Sequence, residues 1–430
     1  MSWLEPGRRL LMQVRRQVVG MFFAHFFRLL VFVISIAQWA TFAWLLSQAG
    51  KRLPLGVHLA GPLVIHAANR MLIGRMRQPR TRWTWSRLAL RGYAAVAFTS
   101  LFCAAFLLAS AISWATMHVL LGALTVEAGT LQPSAAASTI DGLFHWISLS
   151  GVATITVAFA YGYTLGQHRL TVTPLKLSLG FPEELDGLRI AHISDIHIGH
   201  NLSAAQLDRF VRRVNELEPD LICITGDIVD GPATDMAADL PRLAALRARY
   251  GVFAILGNHD HYAGADRVEA ALHRHTHFTV LRDAAATIAV RGVRLHIAGV
   301  DDRGRDWCRG LHRHPGLSAL TTRVSLDEPI VLLSHRPEPF THATACGIRL
   351  TLAGHTHGGQ VAMPWFDGRP RGLAWFVTPF ERGLYEQDGC YLYVNRGLGV
   401  TGPLMRLCAP REISLIEVAG GVAAQITAAG

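Results

Sequence analysis

Charge is scarce in this 430-residue chain, and its absence is patterned. Only 17% of residues are Asp, Glu, Lys or Arg against 50% hydrophobic, and the mean hydropathy is +0.27, which excludes an ordinary soluble protein of one small domain. Four runs hold no charged residue at all: Leu29 to Leu46, Leu53 to Ala68, Gly92 to about Leu121, and Leu143 to Leu165. A bilayer crossing takes about 20 mostly apolar residues, so the first, third and fourth read as membrane spans. The second is shorter and carries Pro54, Gly56, Pro62 and two histidines; a span is expected there too, with a re-entrant hairpin or a buried helix as alternatives. Acid is missing from all four, which weakens a transporter, whose spans should carry strongly polar or acidic residues. The six cysteines show no C-x-x-C spacing and read as reduced, mostly buried thiols. No internal repeat is evident.

Basic residues gather where the spans end. Arg8, Arg9, Arg15, Arg16 and Arg28 precede the first, and Arg70, Arg75, Arg77, Arg80, Arg82, Arg87 and Arg91 separate the second from the third. The first connection has only Lys51 and Arg52, and Val126 to Asp141 has no Lys or Arg. With four spans, both basic segments and everything beyond the last span fall on the cytoplasmic side. No small-residue cleavage site closes the first run, so a multi-pass helical bundle is expected rather than a signal peptide. Residues 1–169 hold 15 basic and 3 acidic residues, a net +12, whereas residues 170–430 hold 26 and 28, a net −2. The basic character therefore belongs to the membrane part. A nucleic-acid partner, which would want a basic face on the folded domain, is not expected. The Arg-rich loop is expected to meet membrane lipid headgroups, at about 1 kcal/mol per basic residue, or to act as a plain topology signal.

The polar information is concentrated in five short segments of the second part: Asp195-Ile196-His197, Gly226-Asp227-Ile228-Val229-Asp230, Gly257-Asn258-His259-Asp260, Ser334-His335 and Gly354-His355-Thr356-His357. Carboxylate oxygen, amide oxygen and neutral imidazole together suit borderline divalent ions such as Mn, Fe or Zn, and can hold two at once. Each segment follows an apolar run, Leu188 to Ile193, Leu221 to Thr225, Val252 to Leu256, Ile330 to Leu333 and Ile348 to Leu352, which reads as a buried strand entering a loop. Ala204 to Leu217, Met236 to Arg247 and Ala265 to His273 read as helices between them. In alternating β and α structure, ligands gather beyond the carboxyl ends of the strands, so all five segments are expected on one rim.

At these residues the chain resembles the calcineurin-like metallophosphoesterase superfamily, whose pattern is D-x-H, G-D-x-x-D, G-N-H-[DE], H and G-H-x-H. The likeness covers about Leu170 to Val418 and implies a four-layer α/β/β/α sandwich. It further implies that Asp195, His197 and His357 hold one metal ion and Asn258, His335 and His355 a second, with Asp227 bridging. His259 is then the catalytic acid, oriented by a hydrogen bond to Asp230, and the reaction is in-line displacement at phosphorus. The fold expected for the whole chain is thus a transmembrane bundle of about four helices, residues 1–169, followed by an α/β metallophosphoesterase domain, residues 170–430.

Protein phosphatases of this superfamily follow the second motif with Arg, but Gly231 follows Asp230 here, which makes that activity improbable by the likeness. The segments Gly358-Gly359-Gln360, Tyr393 to Gly399 and Pro410 to Ile413 resemble instead a bacterial membrane-associated subgroup that includes the YkuE and YaeI phosphoesterases and a chlamydial UDP-diacylglucosamine hydrolase. The expectation is a metal-dependent phosphodiesterase or pyrophosphatase of the bacterial inner membrane, with lipid metabolism and a glycolipid substrate foremost. A broad phosphodiesterase for soluble nucleotides is the rival within the class, and a membrane sensor or transporter with a regulatory metal site the rival outside it. Arg396 and His261 are the candidates for holding the substrate phosphate, with Arg336 and Asn395 near the same rim. The aromatics Trp365, Phe366, Trp375 and Phe376 read as ordinary packing, or as a surface for an acyl chain or bilayer.

Overall fold

A computed structural model describes residues 28–76, 84–127, 134–199, 201–231, 236–302, 314–365 and 367–419. The chain divides into two compact units, Met1–Ala160 and Tyr161–Gly430.

The first unit holds helices α1 (Arg28–Gln48), α2 (Leu55–Met76), α3 (Thr84–Glu127) and all but the last turn of α4 (Ser134–Thr164). Among the described residues, three stretches are long and apolar enough to cross a membrane: Arg28–Gln48, Arg91–Ala123 and Ala136–His168. The expected second span is a continuous helix, α2, yet it falls short in composition because Pro62, His58, His66, Asn69 and Arg70 dilute its apolar content. Of the about four spans expected, three are matched by helices on length and composition among the described residues. Small residues let the helices close on one another. A Cβ on Gly61 would lie 2.4 Å from the Trp39 ring, and one on Gly151 would lie 2.1 Å from Phe106. Polar side chains are paired across the same contacts: Asn69 Nδ2 donates to Ser35 Oγ (2.9 Å) and Gln38 Oε1 (2.8 Å), and Ser110 meets Ser148 at 2.8 Å. One acid does lie in an apolar helix, contrary to the expectation of none. Asp141, read as part of a connection, is in α4 and accepts from Trp114 Nε1 at 2.7 Å, with His118 Nε2 3.3 Å away.

The second unit is a pair of mixed sheets. Its strands are β1 (Leu170–Ser178), β2 (Arg189–Ile193), β3 (Leu221–Thr225), β4 (Val252–Ile255), β5 (Thr279–Val280), β6 (Ala284–Val290), β7 (Val293–Gly299), β8 (Ile330–Leu333), β9 (Leu350–Ala353), β10 (Ala362–Met363), β11 (Arg371–Gly372), β12 (Gly383–Gln387), β13 (Cys390–Val394) and β14 (Arg411–Ala419). One sheet runs β1-β14-β2-β3-β4-β5, the other β12-β13-β9-β8-β7-β6, and β10 pairs with β11 in a separate two-stranded ribbon.

Alternation along the strands explains the layering, because successive side chains point to opposite faces. Ile190, Leu221, Cys223, Phe253 and Ile255 of the first sheet pack against Ile297, Val331, Leu333, Leu350 and Leu352 of the second, forming the central core. Their neighbours Ala191, Ile193, Ile222, Ile224 and Ala254 face outward onto α5 (Ala204–Asn215), α6 (Met236–Leu243) and α8 (Ala265–His275). Behind the second sheet, Ala298, Ile330 and Leu332 meet Leu317 and Leu320 of α9 (Pro315–Leu320) and Ala343 of α10 (Phe340–Ala345). The order of layers is α/β/β/α. Helix α5 shows why such segments fold locally: Ser203 and Gln206 cap one another at its start, and Leu207, Phe210, Val211 and Val214 form one buried face. Full burial of each such side chain contributes about 1.5–3 kcal/mol.

Candidate metal centre

The short α7 helix (Asn258–Ala263) completes the rim. Asp195, Asp227, His335 and His355 each lie two residues past the end of β2, β3, β8 and β9, and Asn258 lies three past β4. The loops are laced together through their backbones. The Asp195 and His197 amides donate to the carbonyls of Gly226 and Asp227, both at 3.0 Å, and the Asp230 amide returns to Ile198 O at 2.9 Å. The His355 amide donates to the Asp195 carboxylate at 3.0 Å.

Aiming these side chains inward bends the backbone into a region most residues avoid. Asp195 (φ 48°), His197 (50°), Asp227 (50°), His355 (70°) and His357 (51°) all have left-handed conformations. A non-glycine residue there is uncommon, and five together mark a loop system held by its surroundings. Two glycines make room. A Cβ on Gly257 would stand 2.2 Å from Asp227 Oδ1, and one on Gly354 would stand 1.8 Å from Ser194 Oγ.

Three groups of possible ligands result: Asp195, His197 and His357; Asp227, His335 and His355; and His197, Asp230 and His259, each with atoms within 4.8 Å of one another. Asp227 Oδ2 lies 3.3 Å from His335 Nε2 and 3.6 Å from His197 Nε2, so one carboxylate faces both of the first two groups. His197 Nε2 is 3.1 Å from His357 Nε2, and His335 Nε2 is 3.1 Å from Asn258 Oδ1.

The donor set fits a divalent ion on its own chemistry. His335 Nδ1 is 2.8 Å from the Thr225 carbonyl, which accepts its proton and leaves the Nε2 lone pair facing Asn258 Oδ1 and Asp227 Oδ2. Acceptors facing acceptors in a buried site require a proton or a cation among them. The titration behaviour agrees. Burial opposes charge on His335, yet Asp227, Asp195 and Asp302 push its pKa up to about 10. Burial would raise Asp227, but the His335 and His197 imidazoles hold it well below the ordinary carboxylate range. Burial, with His335 and Arg336 beside one ring and His197 and Arg406 beside the other, holds His355 and His357 well below the ordinary imidazole value.

The other anticipated residues fall less uniformly. His259 Nδ1 is 2.8 Å from the main-chain carbonyl of Asp230, whereas the Asp230 carboxylate is 3.7 Å from it and 3.4 Å from His197 Nδ1. The orienting hydrogen bond expected of the Asp230 side chain thus comes from its backbone. Arg396 does not present a free guanidinium to the rim. Glu412 holds it (2.9 and 3.1 Å), with Thr171 and Thr173 alongside. His261 is engaged by Asp301 at 2.8 Å. His200, which flanks the first motif as His261 flanks the third, lies outside the described residues. Arg336 is the arginine at the centre: its Nη1 is 2.7 Å from His355 Nε2 and its Nε 2.9 Å from Asp302 Oδ2.

Two supporting residues escaped the sequence reading. The fully buried Asp260 accepts from the amides of Gly257, Ile228 and Val229 at 2.9, 3.1 and 2.9 Å, tying the second motif to the third. Its pKa is pushed up to about 6 by burial and by Asp227. The signal was the last residue of Gly257-Asn258-His259-Asp260. Arg406, also buried, donates to the carbonyls of Gly397, Gly399 and Ala409 and stands 3.4 Å from His357 Nδ1. No local pattern marked it.

The sequence model of the calcineurin-like phosphoesterase family matches residues 188–359. The chain is 32% identical over 289 residues to the uncharacterized metallophosphoesterase YkuE of Bacillus subtilis, covering 65% of this chain and 96% of that one. The chain belongs to the calcineurin-like phosphoesterase family. It is a metal-dependent phosphoester hydrolase, as its family membership requires. A Bos taurus transmembrane protein with metallophosphoesterase domain is 31% identical over 243 residues, which are 54% of this chain and 53% of the relative, so the chain spans about half of that protein. Among solved structures, a dimetal phosphatase from Danio rerio is similar with a TM-score of 0.34 and 15% identity, covering 51% of this chain and 90% of that one.

Two measurements check this centre. An ion held at His335 displaces the proton that the ring keeps up to about pH 10, so affinity should rise with pH. For Mn²⁺, calorimetric titration should give a Kd that falls by up to about tenfold per pH unit between about pH 6 and 8; a flat profile would exclude His335 as a ligand. Separately, Asp260→Ala orphans three buried amides and should cost on the order of 3 kcal/mol or more, seen as a lowered melting temperature.

Proposed function

We propose that this protein is a membrane-anchored phosphoesterase with two divalent ions, hydrolysing a phosphodiester or pyrophosphate at the cytoplasmic face of a bacterial inner membrane. The observation that carries the two-ion reading is the placement of Asp227 Oδ2 between His335 and His197, one member of each ligand group. Asp195, His197 and His357 would hold one ion and Asn258, His335 and His355 the other, with Asp227 shared. When bound, such ions supply Lewis-acid polarisation of the phosphoryl oxygens and a lowered pKa for water. The ligand types accept Mn, Fe or Zn.

The chain's own groups do the rest. Because the Asp230 carbonyl takes the Nδ1 proton of His259, the proton the ring can deliver to a leaving oxygen sits on Nε2. Arg336, oriented by Asp302, is the residue we assign to the substrate phosphate in place of Arg396, since its guanidinium lies among the proposed metal ligands, 2.7 Å from His355 Nε2 and 3.5 Å from Asn258 Oδ1. A substrate carried in the bilayer accounts for several apolar helices where one would anchor the domain. A lipid-linked pyrophosphate of the UDP-diacylglucosamine type is therefore placed ahead of soluble nucleotides.

The four-span reading draws support from the bonding between α1 and α2. Asn69 bonds to Ser35 and Gln38, 34 and 31 residues earlier, as two antiparallel helices joined by a short turn would. At about 1.5 Å per residue the 22-residue α2 is long enough to cross.

Full-length protein with Mn²⁺ should cleave an aryl phosphodiester, and His259→Ala should lower kcat about 10²- to 10⁴-fold with metal content unchanged. Full activity in that variant would remove His259 from the mechanism. A detergent-dispersed glycolipid pyrophosphate should be cleaved with the higher kcat/KM, whereas preference for soluble nucleotide diesters would favour the rival substrate. For topology, green fluorescent protein fused after Gly430 should fluoresce; active alkaline phosphatase at that position would overturn the cytoplasmic assignment.

A further inference from the structure

The polypeptide beyond His357 carries an apolar surface that neither the core nor the metal centre uses. The ribbon of β10 and β11 continues into a short 3₁₀ turn, Leu373–Phe376. Along it Trp365 is 44% exposed, Trp375 40%, Phe376 76% and Val377 86%. These side chains form one cluster: Trp365 and Trp375 have ring centroids 6.0 Å apart, and Trp375 and Phe376 5.1 Å. The Arg371 guanidinium lies over both indoles, 4.5 Å from the Trp375 centroid and 5.5 Å from that of Trp365, and is paired with Asp367 at 2.6 Å. Trp365 and Trp375 thus pack on each other and on Arg371, while Phe376 and Val377 stand largely exposed.

What lies at the base of this ribbon indicates its partner. The Ala362 amide donates to Leu407 O at 2.9 Å, and Val361 is bridged to Leu407. The neighbouring Arg406 amide donates to Gly162 O at 3.2 Å, and a Cβ on Gly162 would lie 2.8 Å from Met405 Cε. Gly162 is in the last turn of α4, the end of the apolar stretch Ala136–His168, and belongs to the same compact unit as the ribbon. The base of the ribbon is thus tied, through Leu407 and Arg406, to the last turn of α4, where a candidate membrane span ends. Tryptophan and arginine together suit the headgroup zone, the ring meeting acyl carbon and the cation meeting phosphate.

We infer that the Ala362–Val377 ribbon docks into the interfacial zone of the same bilayer, inserting Phe376 and Val377 among the acyl chains. His357 lies only five residues before Ala362, and Thr356 Oγ1 donates to Glu381 O while Glu381 Oε1 accepts from the Gly372 amide at 2.7 Å, so the ribbon and the last metal-ligand motif share one scaffold. Docking would hold the metal centre at headgroup level, the depth at which a lipid-borne phosphate is presented. The inference rests on α4 as a membrane span, and the test separates the two.

The full chain, with Cys308, Cys346 and Cys408 changed to Ser, is reconstituted in vesicles of phosphatidylethanolamine and phosphatidylglycerol. A nitroxide is placed singly at Val377→Cys, at the exposed α4 position Val157→Cys, or at the exposed domain position Glu183→Cys. Power saturation should give oxygen contact exceeding nickel-chelate contact at 377 and 157, with the order reversed at 183. Adding Phe376→Asp should shift the 377 label toward the aqueous order. An aqueous order at 377 with a bilayer order at 157 would overturn the docking while leaving the span; an aqueous order at both would overturn the span as well. Dipolar broadening at 377 that unlabelled protein dilutes away would mean a second copy covers the face, and would also overturn it.

Discussion

Acceptor atoms crowded together in a buried site set the terms for the whole domain. Asp195, Asp227, Asn258 and four imidazoles lie largely buried, with oxygens and nitrogens 3.1 to 3.6 Å apart. Burying such groups costs several kcal/mol each unless positive charge offsets it. The architecture answers that cost with rigidity. Two sheets bring five strand ends to one rim, left-handed residues aim the ligands inward, and Gly257 and Gly354 let the loops approach. Asp260 then locks the second and third loops with three amide bonds.

The helical unit follows a different rule, because apolar side chains gain nothing by leaving lipid for one another. Its helices are matched instead by close approach at Gly61 and Gly151 and by paired polar groups such as Asn69 with Gln38 and Ser110 with Ser148. Such pairs are specific in register, which suits a bundle that must hold a defined arrangement. In the second unit the aromatic ribbon leaves Phe376 and Val377 exposed, the feature on which the inferred docking rests.

Much of this was legible in the order of residues. Ile190, Leu221 and Phe253 alternate with Ala191, Ile222 and Ala254 across two cores, and that alternation is visible before any fold is known. The five motifs are legible for a related reason: each ligand lies at a fixed short offset from a strand end, so local spacing encodes its place. Composition likewise delimited the helical part, but it was ambiguous at α2, where Pro62 and two histidines sit in a helix that is continuous nonetheless.

Partnership was not legible. Arg396 and Arg336 look equivalent as sequence, both following a strand near the rim. Only the fold puts Glu412 against the first and His355 against the second, from 16 and 19 positions away. The Asp230 carbonyl, rather than its carboxylate, orients His259, because a backbone group carries no residue identity to read. Arg406 reaches three carbonyls and His357 from 49 residues downstream, and Trp375 is exposed only because no layer of the sandwich covers it. The sequence by itself determined the ligand types, the strand periodicity and the apolar runs, since these depend on neighbours along the chain. Tertiary structure alone decided which charges are neutralised and which surfaces remain open, since those depend on what the folded chain brings within a few ångströms.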